Sequence, residues 1–255
     1  MNYASRYILA GVLALPFIGS ALAADAVDMV PVEEVVIDNG SGFYIGSLSA
    51  ATFSDDTEFG VAGGLVNVNS EYDVGYYSAL RAGYNFGRMG FVSPRLELEV
   101  GYGTASIDEH SADGVDFDSI DSYGDARTIQ GFVNGYIDIP LSAPGDNGFL
   151  SAVTPYIGGG VGVMNLELSR QGVGGVGTLI DDDDTKFAYH VDAGLGFNLQ
   201  KIGVFSGSSL FENTTLDIGY RYTAADDFDF TARDGTKSST DFSSNAVTIG
   251  FRKQF

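Results

Sequence analysis

Between Arg95 and Gly103 apolar and polar residues alternate without exception. Leu96, Leu98, Val100 and Tyr102 fall on one face of an extended segment, and Arg95, Glu97, Glu99 and Gly101 on the other. A period of two predicts a strand with two chemically different faces, because successive side chains on extended backbone point in opposite directions. The pattern recurs along the chain. Leu80, Ala82, Tyr84 and Phe86 alternate with Arg81, Gly83 and Asn85. Val191, Ala193, Leu195, Phe197 and Leu199 alternate with His190, Asp192, Gly194, Gly196 and Asn198. Leu216, Ile218, Tyr220 and Tyr222 alternate with Asp217, Gly219, Arg221 and Thr223, and Val247, Ile249 and Phe251 with Thr248, Gly250 and Arg252. Weaker alternation over 42–51, 127–138 and 154–166 raises the expected number of strands to eight. In the last of these, the glycines at 158–160 and Gly162 leave the facing open.

A soluble sheet packed on one side would give the same alternation in any single strand. Two further patterns favour a membrane-spanning barrel. Long polar segments over 52–73, 104–125, 167–185 and 224–243 alternate with shorter connections, the tightest at 87–90. The other two, around 140–148 and 200–213, are longer than usual periplasmic turns, yet the long–short alternation is that of a barrel with one end in the periplasm and one outside. The strand-interior charges Arg81, Arg95, Glu97, Glu99, Asp192, Asp217 and Arg221 all keep to the face opposite the apolar one. On the lipid face at mid-membrane an Arg or Lys would cost about 2–4 kcal/mol. The expected fold is therefore all-β, an eight-stranded antiparallel up-and-down transmembrane β-barrel.

The N-terminus predicts export. Arg6 precedes an apolar run over 8–18, and small residues lead to Ala21-Leu-Ala23, an A-x-A cleavage site. The run is too short to span a bilayer as a helix, and no later stretch is apolar enough for long enough to do so. Only helices and closed barrels satisfy the backbone within lipid. The expected organisation is a signal peptide over 1–23, an acidic periplasmic tail over 24–41 and a barrel domain over 42–255. The 34 acidic side chains against 13 basic ones, a net charge of −21, argue against nucleic acid as a partner. The absence of cysteine removes disulfides and thiolate metal sites. With 18 Phe, 14 Tyr and no Trp, any interfacial aromatic belt must be built from Phe and Tyr.

Taken in order, several segments resemble the small outer-membrane β-barrel family of OmpA-like and opacity-type surface proteins. They are Gly42-Phe-Tyr-Ile-Gly46, Arg95-Leu-Glu-Leu-Glu99, Thr154-Pro-Tyr-Ile-Gly-Gly-Gly-Val-Gly162, Ala193-Gly-Leu-Gly-Phe197, Asp217-Ile-Gly-Tyr-Arg-Tyr222 and Ile249-Gly-Phe-Arg-Lys-Gln-Phe255. The resemblance implies a bacterial outer-membrane location, with outer-membrane lipids and lipopolysaccharide as surroundings. It also implies that Phe255 is the C-terminal signal read by the outer-membrane assembly machinery. Lys253 departs from the family pattern at a position that is usually aromatic or apolar, where a lysine can snorkel to the interface. No periplasmic peptidoglycan-binding domain of the OmpA kind is expected.

Candidate chemistry is sparse. His190 stands two residues from Asp192 on the lumen-facing side, but residues i and i+2 on a strand share a face by default. His110 lies in the polar stretch 108–114 and reads as solvated. The aspartates at 181–184 and the acidic cluster over 113–125 lack the spacing of a preformed calcium loop. The Gly172-Val-Gly-Gly-Val-Gly177 run lacks the Lys-Ser/Thr of a phosphate loop. No catalytic residue, cofactor or metal site is expected. The lumen set Arg81, Arg95, Glu97, Glu99, Asp217 and Arg221 predicts an internal ion-pair network, since eight strands enclose a space that side chains can fill. The leading expectation is a structural, surface-exposed barrel whose four long acidic loops meet host or environmental ligands. A narrow channel for small or apolar solutes stands second, and a lipid- or peptide-cleaving enzyme using His190 last.

Overall fold

The computed structural model describes residues 40–55, 57–112, 115–117, 122–143, 148–173, 177–202 and 211–255. The expected signal peptide, and the expected tail up to residue 39, lie outside the described residues. Eleven strands follow one another: β1 (Gly42–Ser54), β2 (Thr57–Val61), β3 (Val66–Tyr72), β4 (Gly75–Asn85), β5 (Ser93–Ala112), β6 (Val115–Phe117), β7 (Ser122–Asp138), β8 (Val153–Val173), β9 (Gly177–Asn198), β10 (Thr214–Thr231) and β11 (Lys237–Gln254). Eight of them, β1, β4, β5 and β7 to β11, form an antiparallel ring in sequence order, closed by β1 against β11.

The register fixes the barrel's width. The paired row leaves β1 at Phe43 and passes through Tyr84, Leu96, Gly135, Gly159, Val191, Tyr222 and Asn245. It returns to β1 at Phe53, ten residues further along. Such a stagger tilts the strands, and with eight of them the interior is just wide enough for side chains to fill. Outward positions carry an exposed apolar belt, including Ile45, Leu80, Leu96, Leu98, Val100, Val133, Ile157, Val191 and Ile249. So large an exposed apolar surface is stable only when lipid covers it. No helix among the described residues is long and apolar enough to cross a membrane, so the strands do the crossing. Phe43, Tyr84 and Phe86 stack edge to face near the end with the short 86–92 turn, and Tyr76, Tyr102, Tyr189 and Tyr220 stand toward the other, so aromatic residues mark both ends of the belt.

Above the belt the two faces exchange character. On β8, Ile157, Val161 and Val163 point outward and are exposed, whereas Met164, Leu166 and Leu168 beyond them are buried inside. On β9, Phe187, Tyr189 and Val191 face outward below exposed Asp181, Asp183 and Thr185, while Ile180 is buried. On β10 a bulge between Ala225 and Phe228 resets the phase, so that Phe228 and Phe230 turn inward and Asp229 and Thr231 outward. With Val68 and Phe132 these residues form one apolar cluster. The barrel is thus polar inside and apolar outside where it meets lipid, and the reverse where it stands in water.

This corrects the expectation of four long loops. Residues 167–173, 177–185, 224–231 and 237–243 are strand, as is most of 104–125. The 52–73 segment folds into the β2–β3 hairpin, whose second strand pairs with the outer end of β5. Connections outside the strands at the short-turn end, 139–152 and 199–213, are the longer ones. The asymmetry of the barrel lies in strand overhang, not in loop length. Polar residues pair their backbones in water as well as apolar ones do in lipid, and a reversed alternation still supplies a buried face.

The aspartates at 181–184 take part in this construction. The β9–β10 ladder stops at Ala188 and Ala225. Beyond it, Asp184 accepts a hydrogen bond from the Asp229 amide and Asp182 one from the Thr231 amide, each at 2.8 Å. These carboxylates replace the missing backbone partner. Partial burial opposes ionisation of Asp184, but the Asp229 and Thr185 amides and the Lys186 ammonium outweigh it and hold its carboxyl below the ordinary range.

Phe230→Ala is expected to lower stability by about 3–5 kcal/mol through the cavity it leaves. Leu98→Arg, on the lipid face, should cost about 2–4 kcal/mol. Equilibrium urea unfolding in lipid vesicles measures both, and a loop at 224–243 would predict no loss for Phe230→Ala.

Candidate functional site

Each lumen-facing charge is delivered by the same geometry: a strand that puts apolar side chains into lipid must turn the alternate ones inward. Arg81 comes from β4, Arg95, Glu97 and Glu99 from β5, Asp138 from β7, Asp192 from β9, Asp217 and Arg221 from β10, and Arg252 from β11. All are buried. The structure brings together all six residues of the expected set and adds Asp138, Asp192 and Arg252 to them.

Two groups of contacts can be distinguished. Arg221 makes a bidentate pair with Glu99, at 2.6 and 3.0 Å, and places its Nε 2.7 Å from Asp192. Tyr77 donates to Glu99 and Tyr136 to Asp192, both at 2.8 Å. Nearer the short-turn end, Arg252 pairs bidentately with Asp217 at 2.7 and 2.9 Å, and Arg95 approaches Asp138 to 2.8 Å. The Arg95 guanidinium also stacks over the Tyr136 ring, 4.6 Å from its centroid. Asn134 joins the groups, its amide nitrogen donating to Glu97 at 3.1 Å and to Glu99 at 3.3 Å.

Arg81 is the loosest member. It lies 3.4 Å from Asp217 and 3.9 Å from Glu97, and donates to the Ser47 carbonyl at 2.9 Å. Glu97 is held more firmly by the Tyr44 hydroxyl at 2.9 Å.

His190 is 1% exposed. Its Nδ1 stands 2.9 Å from Asp192, and its Nε2 meets the Asn134 side-chain oxygen at 2.9 Å. The Phe132 ring closes against it edge to face. Gly160 makes this approach possible, because a Cβ there would overlap both Asn134 and His190. Gly83, Gly101 and Gly158 similarly make room for the rings of Tyr44, Tyr77 and Tyr136. The side chain of His110 lies outside the described residues, as do those of the acidic cluster over 113–125 except Asp125, which pairs with Arg127 at 3.4 Å.

Above Arg221 and Tyr77 lies a cavity of about 40 Å³, with Thr128, Gln130, Thr223 and Ser244 on its walls and Leu166 and Phe242 over it. That is room for about three water molecules. Among the described residues no group of three or more His, Asp or Glu side chains is placed to hold a metal ion. At the closure of the ring, the Phe255 amide donates to the Phe43 carbonyl at 2.9 Å while its side chain is exposed.

Asp138 ends the weakly alternating 127–138 segment, which hid its facing from sequence reasoning. Asp192 and Arg252 were already legible as polar-face residues, but nothing in their spacing named their partners.

A lipid-facing apolar belt around a lumen packed with ion pairs defines a small outer-membrane β-barrel protein. Residues 39–255 match the family model of the outer membrane protein beta-barrel domain, and the chain belongs to that family. Its place is accordingly the bacterial outer membrane. Among solved structures, the chain is similar to neisserial surface protein A (NspA), with 17% identity and a TM-score of 0.45 over 85% of this chain and 99% of that one. It is also similar to the outer membrane enzyme PagL, with 12% identity and a TM-score of 0.40 over 83% and 99%. For OprG from Pseudomonas aeruginosa the identity is 11% and the TM-score 0.43 over 84% and 97%. No curated protein matches the chain.

Arg221→Met should destabilise the barrel by about 3–5 kcal/mol, since it leaves Glu99 and Asp192 buried without their main partner. Adding Glu99→Leu and Asp192→Leu should recover much of that loss, because an apolar filling needs no charge partner. Urea midpoints of the single and triple variants test this, and equal midpoints for the two would contradict it.

Proposed function

We propose that this protein is a structural outer-membrane barrel, neither a channel nor an enzyme, whose function lies in the acidic surface it presents outside the cell. The observation that carries the reading is the double filling of the lumen. Ion pairs occupy the membrane-spanning part, and the apolar cluster around Leu166, Leu168, Phe228 and Phe230 occupies the part above it. A conducting pore needs a continuous water path, and these two layers stand across one. The overhanging strands carry exposed Asp181, Asp183, Asp229 and Asp241 on a sheet braced by its own hydrogen bonds. Such a surface suits host or environmental ligands better than a set of unpaired loops, since little order is lost on binding. Lipopolysaccharide surrounds its base, and export rests on the predicted signal peptide over 1–23. Assembly rests on β11, with Phe255 at its end.

The non-enzymatic reading is supported by His190. Its Nε2 is engaged by Asn134, its Nδ1 stands 2.9 Å from Asp192 without a well-directed hydrogen bond, and burial keeps substrate away. A general base needs a nitrogen within reach of the proton it takes.

Two observations favour a second reading, a narrow channel. Arg81 is held more loosely than the other guanidiniums, and the cavity above Arg221 is part of the space a water path would use.

Planar-bilayer recordings separate the two. The structural reading expects no steady conductance from the purified protein. A steady conductance that changes with Arg81→Ala or Glu97→Gln would establish the channel instead.

A further inference from the structure

The guanidiniums and carboxylates of the lumen do not balance. The strand stretches that surround it are described without a gap, and they bury five carboxylates against four guanidiniums. Glu97, Glu99, Asp138, Asp192 and Asp217 are the acids, and Arg81, Arg95, Arg221 and Arg252 the bases. A buried carboxylate without a counter-charge is strongly unfavourable, so one more positive charge is called for.

The hydrogen bonds leave no carboxylate placed to take up a proton instead. The oxygens of Glu97 accept from the Tyr44 hydroxyl at 2.9 Å and the Asn134 amide at 3.1 Å. Those of Glu99 accept from Tyr77, Asn134 and Arg221, and those of Asp192 from Arg221 and Tyr136. Asp138 and Asp217 meet guanidinium nitrogens on both of their oxygens.

His190 has the complementary problem. A neutral imidazole has one donor and one acceptor nitrogen, but this ring faces an acceptor on each side. Its Nε2 lies 2.9 Å from the Asn134 oxygen, and the nitrogen of that same amide already donates to Glu97 and Glu99. Its Nδ1 lies 2.9 Å from an Asp192 oxygen. That contact is off the line of a hydrogen bond, yet at this distance a bare lone pair would be repelled by the carboxylate and a charged N–H attracted.

We propose that His190 is the fifth cation of the lumen, an imidazolium that completes the ion-pair network and makes the strength of the plug depend on pH. The groups facing the ring are Asp192 on β9, Arg221 on β10 beyond that carboxylate, and Glu99 on β5 across Asn134. From β7 come Asn134, Phe132 and Tyr136, and from β8 Gly160, none of them a cation. Histidine is the side chain whose charge changes most readily near neutral pH, whereas guanidiniums keep theirs. A fold that holds such a proton is more stable in acid and loses that advantage as pH rises, by up to about tenfold in the folding equilibrium constant per pH unit. The inference is independent of whether the lumen conducts.

The chain has two histidines, so His110→Gln leaves one ring to observe. Nitrogen-15 NMR of that variant, folded in lipid at neutral pH, should show hydrogen on both ring nitrogens of His190. One bare nitrogen would overturn the proposal. Urea unfolding in lipid vesicles tests the charge balance. His190→Gln should lower the midpoint, and adding Asp192→Asn, which leaves four charges of each sign, should recover most of that loss. Simple addition of the two single-variant losses would count against it decisively. As pH rises, the midpoint of the unaltered barrel should fall in step with the loss of the second ring proton, while that of the double variant stays level. An equal fall in both would overturn the proposal. So would a midpoint that follows sodium concentration and not pH, which would give the missing charge to a bound metal cation. Heat-modifiable mobility on gels reports that each variant is folded, and should His190→Gln fail to fold, the NMR result decides.

Discussion

Mutual neutralisation in the lumen is the constraint on which the rest of this barrel depends. Arg81, Arg95, Arg221 and Arg252 are buried among Glu97, Glu99, Asp138, Asp192 and Asp217 in a tube whose outer wall faces hydrocarbon. An isolated charge there would carry a desolvation penalty of several kcal/mol. Bidentate geometry and the hydroxyls of Tyr44, Tyr77 and Tyr136 supply what water would. Those tyrosines lie over glycines of adjacent strands, so the glycine content of the barrel follows from the network it encloses. Replacing one guanidinium strands two carboxylates, and the group behaves as a unit.

Such a network sets the width that the barrel can have. A larger shear would separate Arg221 from Glu99 across the interior, and a smaller one would leave no room for the rings. The ten-residue stagger between Phe43 and Phe53 and the short ion pairs are two expressions of the same dimension. Above the membrane the reasoning is reversed. Water now bathes the outer face, so the interior no longer has to hide charge and fills with Leu166, Leu168, Phe228 and Phe230. The bulge between Ala225 and Phe228 is where β10 makes that change of phase. Asp182 and Asp184 repair the ladder that the change interrupts.

The ring of strands was legible in the sequence because membrane burial enforces alternation strictly: a single charge on the wrong face is expensive, so Leu96 to Tyr102 and Val191 to Phe197 read plainly. The facing of Arg81, Glu97, Glu99 and Arg221 followed from the same rule. Their pairing did not, because partners such as Arg221 and Glu99 meet across the barrel and lie 122 positions apart in the chain. The overhanging strands read as loops in the sequence for a related reason. Phe228-Asp-Phe230 and Leu166-Glu-Leu168 do alternate, but with the apolar phase turned inward, and an Asp-rich composition masked the period. His190 was visible as a lumen residue, whereas Asn134, which engages it from β7, carried no signal of its own.

Phase is therefore more informative than composition along this chain. The outer ends of β8, β9 and β10 look solvated by count, yet Leu166, Leu168, Ile180, Phe228 and Phe230 there face an apolar core. The aspartates at 181–184 look like a loose charge run, yet each has a partner: Arg233 for Asp181, the Thr231 amide for Asp182, Asn165 for Asp183 and the Asp229 amide for Asp184. A surface built this way keeps its shape without a ligand, and its negative charges are held at fixed spacing on a sheet. A partner meeting it would find a patterned, rigid face, for which complementarity of charge positions matters more than the adaptability of either side.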